Sequence, residues 1–186
     1  TLAHLSPQRS RRRATLHAMN GGGRTLLGFR EGGTHRIVDM AQCEILVPEL
    51  WATVATLRNL LSQRKGKFVA DIELVLLEQG VDLGLKGLTV EGLEQTEAML
   101  DFARDIELAR LTLDQGYGPE ALWEPEPVSI GLSGVSVPFP PGAFLQATTD
   151  GEAALASAAR EWLAGSATVA DLFSGLGTFA FALAGD

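Results

Sequence analysis

Residues 169–178 read Val-Ala-Asp-Leu-Phe-Ser-Gly-Leu-Gly-Thr, an apolar run with one carboxylate, Asp171, followed by two glycines one residue apart. Where glycines lack Cβ atoms, a ligand can approach the backbone closely, and the helix expected next offers unpaired N–H groups. That combination suits a nucleotide cofactor. The set Gly175-x-Gly177-x-x-Ala180 also satisfies the relaxed dinucleotide fingerprint, so a nicotinamide site stays an alternative on these residues alone. The acidic residue that would discriminate falls about 20 positions further on, past Asp186. Two other features could carry chemistry. One is Cys43, the single cysteine, which excludes an internal disulfide framework and by itself reads as an inert buried residue. The other is a block of arginines at positions 9, 11, 12, 13, 24, 30 and 36, whose planar forks match phosphate oxygens.

The elements that must position these residues follow from pattern. Segments 11–19 and 24–29 are β-prone and flank Asn20-Gly-Gly-Gly23, which predicts a hairpin. A short strand is expected over 35–39. Pro48 opens a helix with Leu50, Trp51, Val54, Leu57, Leu60 and Leu61 at helical period, stopped by Arg64-Lys-Gly66-Lys67. Segments 68–77 and 81–85 predict a second hairpin, 91–104 a helix, and 107–113 another strand. A Gly/Pro/Glu-rich linker is expected over 117–127 and two short strands over 129–137, turning at Gly134. Pro138-Phe-Pro-Pro-Gly142 breaks the chain. We expect a helix over 151–164, capped by Asp150, and then the strand 168–173. The fold class is α+β with antiparallel hairpins over residues 1–138, followed over 139–186 by the truncated start of a Rossmann-like α/β unit. A lone strand and helix cannot make a stable parallel sheet, so the chain reads as a piece of a larger enzyme, with an unfinished sheet edge that favours self-association.

Hydrophobic residues make up 46% and charged residues 20%, which fits a globular protein and not a disordered one. No apolar run approaches the roughly 20 residues of a membrane span, no signal segment opens the chain, and a cytoplasmic setting is the default. The net charge of −8 would argue against a nucleic-acid partner if it were spread evenly. It is not. Residues 1–40 carry seven arginines against Glu31 and Asp39, whereas residues 41–186 carry eight cations against twenty-one carboxylates. A basic block on an acidic body is a candidate RNA contact through Arg11, Arg12, Arg13, Arg24, Arg30 and Arg36. His17 and His35 read as surface or hairpin residues and not as catalysts.

Pro140-Pro-Gly-Ala-Phe-Leu-Gln146, a helix, and then Asp-Leu-Phe-Ser-Gly-Leu-Gly177 together resemble the RNA 5-methyluridine methyltransferases, which methylate C5 of uridine in ribosomal and transfer RNA. The resemblance covers almost the whole chain. It implies that Gln146, Phe173 and Thr178 contact S-adenosylmethionine, with Gly175 and Gly177 giving access to the backbone. Ser174 departs from the pattern, where the family usually has cysteine. Gly28-Phe-Arg-Glu31, His-Arg-Ile-Val-Asp39 and Cys43 are similar to the family's central domain. There the equivalent cysteine is one of four ligands of an iron–sulfur cluster in many members. The other three lie upstream of this sequence, so no cluster is expected in the segment itself.

The reaction implied is a thiolate addition to C6 of a flipped-out uracil, methyl transfer to C5, and removal of the C5 proton by a general base. In the family the nucleophile and base lie further C-terminal, and Cys43 is in the wrong domain to replace them. The expectation is therefore a catalytically inactive segment of a 23S rRNA or tRNA uracil-C5 methyltransferase. A non-catalytic RNA-binding or assembly module is the alternative.

Overall fold

A computed structural model of the chain describes residues 5–21 and 24–184. Its centre is a seven-stranded sheet in the order β3-β2-β1-β4-β5-β6-β7. The strands are β1 (Arg13–Asn20), β2 (Thr25–Arg30), β3 (Ile37–Asp39), β4 (Phe68–Leu77), β5 (Gly80–Lys86), β6 (Arg110–Asp114) and β7 (Glu120–Trp123). β1 and β2 pair antiparallel with Asn20 opposite Thr25, as the hairpin reading requires; Gly22 and Gly23 of the expected turn lie outside the described residues. β4 and β5 form the second hairpin. All neighbours are antiparallel except β5 and β6. That parallel pair is linked by helix α2 (Gly92–Asp105), the kind of crossover a parallel connection needs.

Strand alternation sorts the two faces. Ala14, Leu16 and Ala18 of β1 and Ala70, Ile72 and Leu74 of β4 point to one side and are buried there. Against them pack Leu50, Val54, Leu57 and Leu61 of α1 (Pro48–Ser62), whose period of about 3.6 supplies a matching stripe, together with Met99, Phe102 and Ala103 of α2. The opposite face is covered only in part. Val75 and Leu77 break the alternation of β4 because a second apolar cluster lies over them, built from Val128, Ile130, Leu132, Phe139 and Leu145. This cluster rests on β8 (Ser129–Leu132) and β9 (Val135–Pro138), a separate antiparallel pair. Helices α3 (Thr149–Leu163) and α4 (Thr178–Leu183) follow and touch each other, with Arg160 Nε donating to the Ala182 carbonyl at 2.7 Å.

Several expectations are corrected. The strand expected over 107–113 starts only at Arg110, since Glu107 adopts a left-handed φ of 53°. The expected linker 117–127 contains β7, which pairs with β6 and makes an edge of the sheet. Thr148, not Asp150, is the N-cap of α3; its side chain accepts from the Gly151 N–H. Residues 168–173 are not a strand. No described neighbour offers them a ladder of hydrogen bonds, and an isolated strand has nothing to stabilise it. The architecture is mixed α/β with a mostly antiparallel sheet.

Candidate functional site

The glycine loop lies between α3 and α4. Phe173 is fully exposed with φ 60°, Gly175 has φ 57°, and Gly177 has φ 89° as the N-cap of α4. All three occupy the left-handed region, which costs a side chain-bearing residue about 1–2 kcal/mol and glycine almost nothing. At Gly177 a Cβ would also stand 2.9 Å from the Phe181 ring, so the chain can pass that point only without a side chain. At Gly175 a Cβ would meet nothing within 4 Å, which leaves bare backbone facing open space. Asp171 reaches forward, and its Oδ2 accepts from the Ala180 N–H at 3.2 Å. The carboxylate that the sequence placed on a strand instead satisfies an unpaired donor in the first turn of α4.

Thr178 lines an open groove of about 280 Å3 with Ser133, Thr149, Glu152 and Arg160. Gln146, Phe173, Gly175 and Gly177 do not line it. Gln146 is half-buried in the segment leading to α3, and its carbonyl accepts from Arg12 Nε at 3.3 Å. The described residues thus supply exposed backbone at Gly175, though Gly177 is buried against the Phe181 ring, and a polar wall at Thr178, features that fit one side of a cofactor site. The five expected residues are not gathered into one closed pocket.

The arginines do not form a single phosphate-binding face. Arg12 is buried. Its guanidinium donates to Glu152 of α3 at 2.8 Å as well as to the Gln146 carbonyl, so it ties the residue just before β1 to the segment around α3. Arg9 pairs with Glu44, Arg24 with Asp39, Arg30 with Asp71 and Arg36 with Glu31. Among the described residues, Arg11 and Arg13 of the block have no carboxylate partner; Arg13 instead stacks its guanidinium 5.0 Å from the centre of the exposed Phe144 ring. His17 Nδ1 is 2.6 Å from Asp71 Oδ1, across the β1–β4 pair on the sheet's uncovered face.

Sequence reasoning missed Arg58. From the middle of α1 it donates to Asp39 at 2.6 Å and to the carbonyls of Leu27 and Met40, so that it locks β2 and β3 to the helix. A lone cation at a half-buried helical position beside Leu57 was the available signal. Partial burial pushes the Asp39 carboxyl up, but donors from Arg58, the Leu27 N–H and Arg24 outweigh it and hold the carboxyl below its ordinary range.

Cys43 is half-buried against the main core, with Sγ accepting from the Leu46 N–H at 3.5 Å. An iron–sulfur cluster usually takes four thiolates, and this sequence has one, so its residues do not fit a cluster by themselves.

In sequence the chain is similar to proteins named RNA methyltransferases. It is 43% identical over 185 residues to an uncharacterized RNA methyltransferase of Zymomonas mobilis, covering 99% of this chain and 47% of that protein. It is also 34% identical over 162 residues to a 23S rRNA (uracil(1939)-C(5))-methyltransferase of Tolumonas auensis, covering 86% of this chain and 37% of that one. Among solved structures it resembles the Pyrococcus abyssi tRNA (uracil-54, C5)-methyltransferase in complex with S-adenosyl-L-homocysteine. The TM-score is 0.66 over 94% of this chain and 46% of that one, at 18% identity. No protein-family model matches. The chain spans less than half the length of these relatives. No helix among the described residues is long and apolar enough to cross a membrane.

Proposed function

We propose that this chain is a segment of an S-adenosylmethionine-dependent RNA uracil-C5 methyltransferase, with 23S rRNA as the favoured substrate. The observation that carries the reading is the 34% identity, over 86% of the chain, to a protein named for that reaction. Residues 1–138 act as a central RNA-facing domain, and residues 139–186 contribute the N-terminal part of the cofactor domain. Gln146, Phe173, Gly175, Gly177 and Thr178 hold S-adenosylmethionine, which supplies an electrophilic methyl group when bound. Phe173 offers an uncovered aromatic surface, and Gly175 has open space where a side chain would stand. Arg11, Arg13, Arg24, Arg30 and Arg36 contribute charge toward RNA, Arg11 and Arg13 most directly because no carboxylate competes for them. Cys43 supplies one cluster ligand in a longer protein that brings three more. The setting is the cytoplasm, where such RNA is found.

In the family that the sequence resembles, the nucleophile and general base lie further C-terminal than the matched segment, and residues 1–186 by themselves are accordingly proposed to be inactive. The test incubates the full-length protein, and separately this segment, with methyl-labelled S-adenosylmethionine and 23S rRNA, followed by nucleoside mass spectrometry. The expected result is 5-methyluridine from the full-length protein and none from the segment. Methyl groups on ribose or on ring nitrogens would overturn the reaction assignment. 5-Methyluridine formed by the segment would overturn its inactivity.

A further inference from the structure

We propose that the turn between α1 and β4, together with the strand ends beside it, is a contact surface for single-stranded RNA, distinct from the arginine block. It rests on the RNA reading above and adds a place to it. The turn runs through Gly66, at φ 88°, and presents Lys65 and Lys67 to solvent. Among the described residues neither lysine has a carboxylate within ion-pair distance. Five of the seven N-terminal arginines do. Among the described residues, six cations have no carboxylate partner, Arg11, Arg13, Arg64, Lys65, Lys67 and Arg160, and three of the six fall in this turn. Arg64, in contrast, is committed: it donates to the Thr89 carbonyl and to Gln95 Oε1.

Two open grooves meet here and share Asn20 and Lys67. The first, of about 540 Å3, is lined by the two lysines with Ser62, Gln63 and Asn20, a polar and cationic surface. The second, of about 550 Å3, is walled by Met19, Phe68 and Val69, and Val69 is 57% exposed. Cations beside an uncovered apolar wall match a single strand, which presents phosphates on one side and unstacked bases on the other. A duplex would use the lysines and leave the apolar wall unoccupied.

The experiment measures fluorescence anisotropy of a labelled twelve-nucleotide oligouridylate against this chain and its Lys65→Gln/Lys67→Gln variant over a salt series. The expected loss of affinity is about tenfold at low salt. The log–log salt slope should fall by about 1.4, the equivalent of two single-strand phosphate contacts. The melting curve should not move, because both side chains are exposed. Unchanged affinity and slope in the variant, with the parent chain binding normally, would overturn this surface and leave the methyltransferase reading standing. No binding by the parent chain would instead count against the RNA reading itself. Inorganic polyphosphate of equal charge, bound as tightly as the oligouridylate, would overturn the assignment to a strand with bases.

Discussion

Arg12 and Glu152, 140 residues apart in sequence, form a nearly buried ion pair at 2.8 Å that joins the approach to β1 with α3. The same guanidinium holds the Gln146 carbonyl, and the Arg12 backbone N–H donates to the Ala147 carbonyl at 2.9 Å. The segment that carries Gln146 is therefore positioned from the central sheet. Arg12→Ala leaves Glu152 without its partner and should cost about 3 kcal/mol, since an uncompensated charge largely removed from water is the dominant penalty. Urea denaturation measures the loss. A phosphate-binding arginine would behave differently: its removal would lower the salt slope of RNA binding and leave the urea midpoint in place.

Asp39 makes stability depend on acid. Its carboxyl is lowered in the folded state by Arg58, the Leu27 N–H and Arg24 acting against desolvation. A carboxylate with a depressed folded pKa adds stability above its unfolded value of about 3.9, and that stability disappears as the pH falls through the folded value. Asp114, held low by the Gly116 N–H first, and Asp150, held low by Thr148 first, act in the same direction. Thermal melts from pH 7 to pH 2.5 should show Tm falling below about pH 4. The fall should be shallower in Asp39→Asn, which starts from a lower Tm because the neutral amide no longer pairs with Arg58.

Local pattern carried most of the fold. α1 was legible because six apolar residues share one helical face, and the β4–β5 hairpin because two apolar runs flank Gly80. The segments proposed to hold the cofactor stand out as motifs, since glycine spacing and Gln146 need no tertiary information. Non-local terms were not legible. β7 lies in a Pro/Glu-rich stretch that looks like a linker and becomes a strand only because β6 offers it an edge. The parallel β5–β6 pairing depends on where α2 returns the chain. Arg12 sits between two arginines of identical type, and nothing in that tripeptide says which one faces inward. The structure decides it through partners distant in sequence: Arg12, just before β1, is buried by its bonds to the Gln146 carbonyl and Glu152, whereas Arg11 is exposed and Arg13 half-buried.

Asp82 and Arg110 face each other across the parallel β5–β6 pair and meet through two hydrogen bonds, 2.9 and 2.7 Å long. Arg110 also donates to the Phe139 carbonyl at 2.9 Å, so the pair anchors the second apolar cluster to the sheet. Their side chains are only 8% and 4% exposed. Asp82→Ala should cost about 3 kcal/mol, because the buried guanidinium then keeps only the Phe139 carbonyl and the more distant carboxylate of Glu124, at 3.8 Å. The Asp82→Ala/Arg110→Met double variant should recover at least about 1 kcal/mol of that, because it removes both charges. A double variant no more stable than the single would mean that the Phe139 bond, not the ion pair, is the dominant contribution.

Gly28 is the position where β2 tolerates no side chain. A Cβ there would lie 1.9 Å from the Val38 carbonyl oxygen and 2.9 Å from Met40 Cγ. The first obstacle is backbone of the neighbouring strand, so no rotamer change relieves it, and β3 must move away. Moving β3 also disturbs the Asp39 contacts to Leu27 and Arg58 and the Met40 N–H bond to the Leu27 carbonyl. Gly28→Ala should therefore lose about 2–4 kcal/mol, more than a typical overpacked core site, because hydrogen bonds break with the steric shift. Gly21→Ala is the matched control: its Cβ would meet only Met19 Cε, at 3.9 Å, and the change should stay within about 0.5 kcal/mol. Hydrogen exchange separates the two ways the sheet could respond. If β3 alone detaches, the amide of Met40 loses protection while those of β1 and β4 keep theirs. If protection falls across β1 and β4 together, the edge strand is part of the cooperative unit, and the central sheet cannot shed it without unfolding.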